Sequence, residues 1–385
     1  MAAETKDQTQ QKCLTHAGFV LTHKLKMRKK QRKNGDIMSK ERSSNFELLR
    51  LLCIFGILMM HTFGGIDTSV SLFNTEIHVL VNSIFNMGVT CFILISGYFG
   101  IRFDFKKLIR LDLMIIFFTI FGTVAVGNFG VKALIKSCIP VISRYYWFIS
   151  CYFFLCFLTP FLNQIPEKLS QAAFEKLLAV LLLLFSVIPT FGFFEIMQDG
   201  GKGLVHMVMI YLLGRYLALY HNHSHNIHRL LLGLLVSVGF IFLADSTLTF
   251  LRGKLYTTFC RDCSIFIIFG SVMILLLFRE INFHSRFINR AAGNVLAVYV
   301  LDGTVQTFLL KWIDFKPYAG SWFLAFLAVG YVLAIMVIAC LLNEVRKATV
   351  GRLEPWIVNV VDCVVMWIVN VVRGVVQRLL TYFIG

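Results

Sequence analysis

Charge is what this sequence has least of. Asp, Glu, Lys and Arg together make up 15% of its 385 residues, against about 25% in an average soluble domain. The apolar and aromatic share is 57%, Phe occurs 38 times, and mean hydropathy is +0.74. The ten cysteines are scattered through apolar stretches, which excludes the spaced framework of a secreted disulfide scaffold. The alternating ten-residue segments of a transmembrane β-barrel are missing too. So are a P-loop, a nucleotide fold and a metallohydrolase motif. The first residues lack the apolar core of a signal peptide.

What is present is a series of apolar runs, each near the ~20 residues that cross a bilayer as a helix. These runs predict an all-α, polytopic membrane helix bundle. Its expected spans lie near 46–66, 77–99, 108–129, 145–162, 174–194, 204–220, 229–248, 258–278, 292–311 and 318–342. Residues 1–44 read as a basic, disordered leader, with KLKMRKKQRK at 24–33. Met38 offers an alternative start. Residues 45–343 form the membrane domain. Residues 344–385 contain an 11-residue repeat, WIVNVVDCVVM followed by WIVNVVRGVVQ. Eleven residues are about three helical turns. Asn359, Asp362, Met366, Asn370, Arg373 and Gln377 therefore share one narrow stripe of an otherwise apolar helix. Such a helix suits the membrane interface, or a partner subunit.

The net charge of +16 does not indicate nucleic acid, because the basic residues cluster in the gaps between apolar runs. With both termini in the cytoplasm, 25 Lys and Arg fall on the inner side and 9 on the outer. Without the leader the balance is 14 to 9. Both counts favour this orientation under the positive-inside rule. A multi-pass membrane location with both termini in the cytoplasm is expected.

The informative residues are the polar ones inside the apolar runs. Such residues are costly in lipid and by default functional. The first run reads NFELLRLLCIFGILMMHTFGG at 45–65. Arg50 and His61 are eleven positions apart, about three turns and roughly 16 Å along one helix face. Glu47 is one turn before Arg50 on that face. Taken singly, Arg50 suits snorkelling to lipid phosphates and His61 suits an interfacial hydrogen bond. Asp112, just inside the third span, needs a salt-bridge partner. HNHSHNIH at 221–228 falls in a short predicted loop, and solvated loop is preferred there over metal site. Cys260 and Cys263 form a lone CxxC, better read as buried thiols than as a redox pair or zinc contact.

Several segments in order resemble the membrane acyltransferase-3 family. FELLRLLCIFGILMMH carries that family's Arg-x10-His signature. GVTCFILISGYFG (88–100), FKKLIRL (105–111), YWFISCYFFLCFLTPFLN (146–163), IYLLGRYLA (210–218) and AVYVLDG (297–303) resemble later elements. The similarity runs from about residue 42 to 342. It implies an enzyme that O-acylates sugars, polysaccharides or lipid-linked glycans of the cell envelope. The implied donor is cytosolic acyl-CoA, usually acetyl-CoA, and no metal is expected. Arg50, Lys107 and Arg110 are then the candidates for binding CoA phosphates. His61 is the candidate for general base or acyl acceptor, and Glu47 the candidate for catalytic support or for pairing with Arg50. Tyr98, Trp147, Ser150 and Tyr299 are candidates for an acceptor groove, or else for helix packing. Lys107 departs from the family's arginine and loses its planar fork. Asp302 stands where the family commonly has a histidine, so no role carries over to it. No soluble domain follows the last predicted span, so the membrane unit is expected to complete the transfer or hand the acyl group on. A transporter or flippase of glycolipid precursors is the rival reading of buried charges among ten spans, although no convincing inverted repeat is visible.

Overall fold

The computed structural model describes residues 43–67, 71–192, 194–221 and 223–384. Nearly all of the predicted basic leader lies outside them. Among the described residues there is no strand. The described residues form thirteen α-helices: α1 (Ser44–Gly64), α2 (Leu72–Phe99), α3 (Phe105–Ala125), α4 (Val131–Cys138), α5 (Trp147–Lys168), α6 (Gln171–Gly192), α7 (Leu204–Tyr220), α8 (Ile227–Arg252), α9 (Ile265–Glu280), α10 (Arg286–Ala292), α11 (Val295–Leu309), α12 (Phe323–Ala348) and α13 (Glu354–Ile384).

Local signals start and interrupt these helices. Ser71 caps α2 by accepting from the Asn74 amide at 3.1 Å, and Asp104 caps α3 by accepting from the Lys107 amide at 3.2 Å. Each side chain satisfies one of the donors a helix start leaves free. Helix α2 breaks at Asn86, between Phe85 and Met87. Helix α6 contains a π turn at Leu183–Val187.

Every one of the ten predicted spans falls on a helix. Among the described residues, eight helices are long and apolar enough to cross a membrane: α1, α2, α3, α5, α6, α8, α12 and α13. Helices α7, α9 and α11 are shorter, at 17, 16 and 15 residues. All three bury much of their surface inside the bundle. A helix sheathed in protein can be shorter than the lipid is thick, because its flanking backbone is shielded from hydrocarbon.

Helix α1 contributes to both hydrophobic cores. Phe46, Leu49 and Cys53 belong to one, with residues of α2, α5, α6, α7, α8 and α9. Ile54, Leu58, Met59 and Phe63 belong to the other, with residues of α2, α3, α5, α10, α11 and α12. Its start is pinned at one end of the bundle. Ser44 Oγ donates to Asn289 Oδ1 at 2.9 Å and accepts from the Ser285 amide at 2.9 Å. Asn45 donates to the Phe278 carbonyl at 2.8 Å.

Helices α2 and α7 cross at Gly97 and Gly214, where small residues let backbones approach closely. A Cβ on Gly97 would sit 2.2 Å from the Tyr211 carbonyl oxygen, and one on Gly214 would sit 2.5 Å from that of Leu94. Nearby, the Tyr211 hydroxyl donates to Asn163 Oδ1 at 2.7 Å and accepts from the Ile101 amide at 3.0 Å.

The repeat region is one helix, α13. Its first turns lie against α3: Val358 is buried, and Lys106 Nζ donates to Asn359 Oδ1 at 3.2 Å and lies 3.4 Å from Asp362 Oδ2. Arg346 of α12 pairs with Glu354 at the turn into α13. Beyond Asp362 most described side chains of α13 are exposed.

Gly214→Ala should therefore destabilise the protein by about 1–3 kcal/mol, the usual range for overpacking. It should lower the melting temperature in detergent. Gly239→Ala on α8, where an added Cβ meets nothing within 4 Å, should not lower that temperature, since alanine is the better helix former.

Candidate functional site

The site is built on one stripe of α1. Glu47, Arg50, Ile54, Ile57 and His61 follow one another at spacings of three and four, which places them on one helix face. The first four line a cavity of about 400 Å³. Its remaining walls come from Val89, Phe92 and Ser96 of α2, Leu111 of α3, Phe148, Ile149 and Tyr152 of α5, and the α10–α11 corner from Ala292 to Tyr299. The lining is mostly apolar, with charge confined to the end where α1 begins.

At that end Arg50 Nη1 donates to Glu47 Oε1 at 2.5 Å. The Glu47 side chain is 7% exposed and that of Arg50 30%. Glu47 is thus satisfied by the helix's own arginine, while part of the guanidinium remains free to meet a ligand. Phe92, Phe148 and Tyr299 form an aromatic part of the wall. The Phe148 ring is 6.2 Å from Phe92 and 5.9 Å from Tyr299.

One turn beyond Ile57 and one turn beyond Tyr299, His61 of α1 meets Asp302 of α11. Nδ1 of His61 is 2.6 Å from Asp302 Oδ2. The other carboxylate oxygen accepts from Gln306 Nε2 at 2.7 Å. Asp302 is nearly buried, at 7% exposure, whereas the imidazole is 47% exposed. A carboxylate held on both oxygens orients the ring. When Nδ1–H donates to it, Nε2 is left with a free lone pair, the form that accepts a proton.

The structure sorts the predicted residues. Arg50, Glu47 and Tyr299 line the cavity, and His61 lies one turn past it. Glu47 belongs with Arg50: it is fourteen positions from His61, about 21 Å along the helix, and does not contact the imidazole. Lys107 and Arg110 do not line the cavity. The Lys107 side chain is 75% exposed and 3.5 Å from Asp104, and Arg110 is exposed. Of the α3 residues it is Leu111 that reaches the cavity.

Among the acceptor-groove candidates, Tyr98 packs between Phe46 and Phe99, each ring 5.5 Å away. Trp147 packs edge-on against Phe148 at 6.0 Å. Ser150 is buried, and its hydroxyl donates to the Val141 carbonyl at 2.7 Å. None of the three lines the cavity. The salt bridge expected for Asp112 is not found among the described residues; its Oδ1 is buried without a hydrogen-bond partner. Cys260 and Cys263 are buried and free.

Sequence reasoning missed Asp302 and Gln306. Asp302 was visible as a departure from a family pattern, but its partner was not. The usable signal was depth: a carboxylate inside the ninth span has to find a donor.

The fold and site define a multi-pass helical membrane protein with a paired arginine at the mouth of an internal cavity and a His–Asp pair beyond it. A family model for the acyltransferase-3 group, described as an acyltransferase domain, matches residues 43–343. The chain belongs to that family, and its membrane domain is an acyltransferase domain. No curated protein and no solved structure matches it.

Ser150→Ala should lower the melting temperature, at a cost of about 1 kcal/mol for one hydrogen bond. It should leave acyl-transfer turnover by the folded protein unchanged, since the hydroxyl faces a carbonyl and not the cavity.

Proposed function

We propose that the chain is a membrane O-acyltransferase that moves an acyl group, acetyl in the first instance, from cytosolic acyl-CoA to a sugar hydroxyl. The acceptor is an envelope polysaccharide or a lipid-linked glycan. The observation that carries this reading is the stripe on α1, which leads from Arg50 along the cavity to an imidazole oriented by Asp302.

The basic-residue bias supports a cytosolic position for the Glu47–Arg50 end. Arg50 is suited to a CoA phosphate, because guanidinium–phosphate hydrogen bonds are charge-assisted and can be bidentate. Glu47 holds the guanidinium in place. The apolar cavity is suited to the arm that joins those phosphates to the thioester. His61 Nε2 takes the acceptor hydroxyl proton while the hydroxyl oxygen attacks the thioester carbonyl. The carbon–sulfur bond breaks, and the leaving thiolate recovers the proton from the imidazolium. Asp302 stabilises that imidazolium and keeps Nδ1 as the donor, the role such a carboxylate has in other His–Asp pairs. The products are the O-acyl ester and free CoA.

The test uses purified protein, labelled acetyl-CoA and an envelope-glycan extract. His61→Ala should lower acceptor-dependent CoA release by about 10²–10⁴-fold, the usual worth of a general base. Asp302→Asn should lower kcat while leaving the KM for the donor near wild type. Arg50→Ala should instead raise that KM about 10–100-fold, the equivalent of about 1.5–3 kcal/mol for a hydrogen bond to a charged group. Lys107→Ala and Arg110→Ala should do neither. Wild-type turnover by His61→Ala would remove the imidazole from the reaction. Movement of glycan across the membrane without acylation would mark a carrier instead.

A further inference from the structure

A second group of polar residues, separate from the α1 stripe, lies in the turn between α7 and α8. The sequence there reads HNHSHNIH. Ligand nitrogens of His221, His223 and His225 all lie within 4.8 Å of one another. The His223 and His225 rings stack at 4.4 Å, and His221 is 5.7 Å from His223.

This turn is fastened to the end of α9. Arg279 donates to the carbonyl oxygens of His221 and His223, the latter at 2.6 Å. Glu280 accepts from the Ser224 hydroxyl at 2.9 Å and from the His225 amide at 3.1 Å. The backbone that presents the three rings is therefore held before any ligand arrives, which reduces the ordering cost of binding.

The protonation states also suit a cation. Nδ1 of His225 is 2.6 Å from Arg279 Nη2. A guanidinium donates and does not accept, so this nitrogen is unprotonated, with its lone pair in use. Glu280 Oε1 lies 3.7 Å from His225 Nδ1 and offsets the arginine's charge.

We infer that His221, His223 and His225 form a binding site for a divalent first-row transition metal of the zinc class, with Glu280 beside it as a fourth ligand or charge partner. Zinc–nitrogen bonds of about 2.0–2.1 Å put tetrahedral ligands about 3.3 Å apart, so nitrogens within 4.8 Å of one another need to close by about 1.5 Å at most. The ion takes over the His225 lone pair from the Arg279 N–H. Arg279 keeps its carbonyl contacts and its 2.8 Å contact with Glu280. Imidazole ligands select zinc, nickel, cobalt or copper over magnesium and calcium, which prefer all-oxygen sites. The bound ion clamps the α7–α8 turn to α9 at the bundle end where α1 begins, since Phe278 of α9 is bonded there to Asn45.

The experiment is a Co2+ titration of full-length protein carrying a tag without histidine and stripped with chelator. The expected result is saturable binding of one equivalent at micromolar Co2+, with visible ligand-field absorption of a four-coordinate site, displaced by Zn2+. A variant combining His221→Ala, His223→Ala and His225→Ala should keep the metal-free melting temperature and lose the signal. If that variant fails to fold, His223→Ala alone, at an exposed ring, should weaken Co2+ binding at least tenfold. Signal that persists in these variants, or no saturable uptake at micromolar Co2+, overturns the site.

Discussion

A polar group in the hydrocarbon of a membrane has to be paired, and on α1 that constraint is met twice. Arg50 is met by Glu47 of its own helix, and His61 by Asp302 of another. The two solutions differ in consequence. The Glu47–Arg50 pair is local and leaves part of the guanidinium exposed at the mouth of a cavity. The His61–Asp302 pair ties α1 to α11 across a sequence separation of 241 residues and fixes the direction of a ring. Two such features on one stripe, with the cavity between them, make a path with a charged entrance and a basic end.

The bundle is organised to hold that stripe still. Helix α1 is shared by both cores, so the face opposite the cavity is packed along much of its length. Helices α2, α9, α10, α11 and α12 surround it, and the glycine crossing ties α2 in turn to α7. Interiors of this density do not deform continuously. Asp302 is positioned in the same way, with Gln306 on its second oxygen and the Tyr331 hydroxyl 3.4 Å from the Gln306 carbonyl.

Much of this was legible in the sequence, for definite reasons. Apolar run length gave each of the ten spans a helix, because length and hydropathy are set by the lipid. The spacings of three and eleven put Glu47, Arg50 and His61 on one face, because helical period depends on nothing else. The spacing could not say what faced each of them. Glu47 was open between supporting catalysis and pairing with Arg50, and distance along the helix places it with Arg50. Lys107 and Arg110 were grouped with Arg50 because all three lie near one membrane face; depth does not determine rotation, and neither lines the cavity. Ser150 was a polar residue in a span, and a carbonyl nine residues earlier in the chain had already claimed it. Asp302 depended on a contact across the whole domain, which periodicity cannot supply. Of the polar stripe of α13, Asn359 and Asp362 meet Lys106 of the same chain, a pairing the helical period alone does not give.

The central claim is that one path on α1 joins a donor's phosphates to an oriented imidazole. The measurement closest to it is a structure of the protein with a non-transferable thioether analogue of acetyl-CoA. The account predicts the phosphates at Arg50, the pantetheine arm in the cavity beneath Phe148, and the carbonyl within hydrogen-bonding reach of a hydroxyl poised at His61 Nε2. An analogue bound elsewhere, with its carbonyl far from His61, would contradict it.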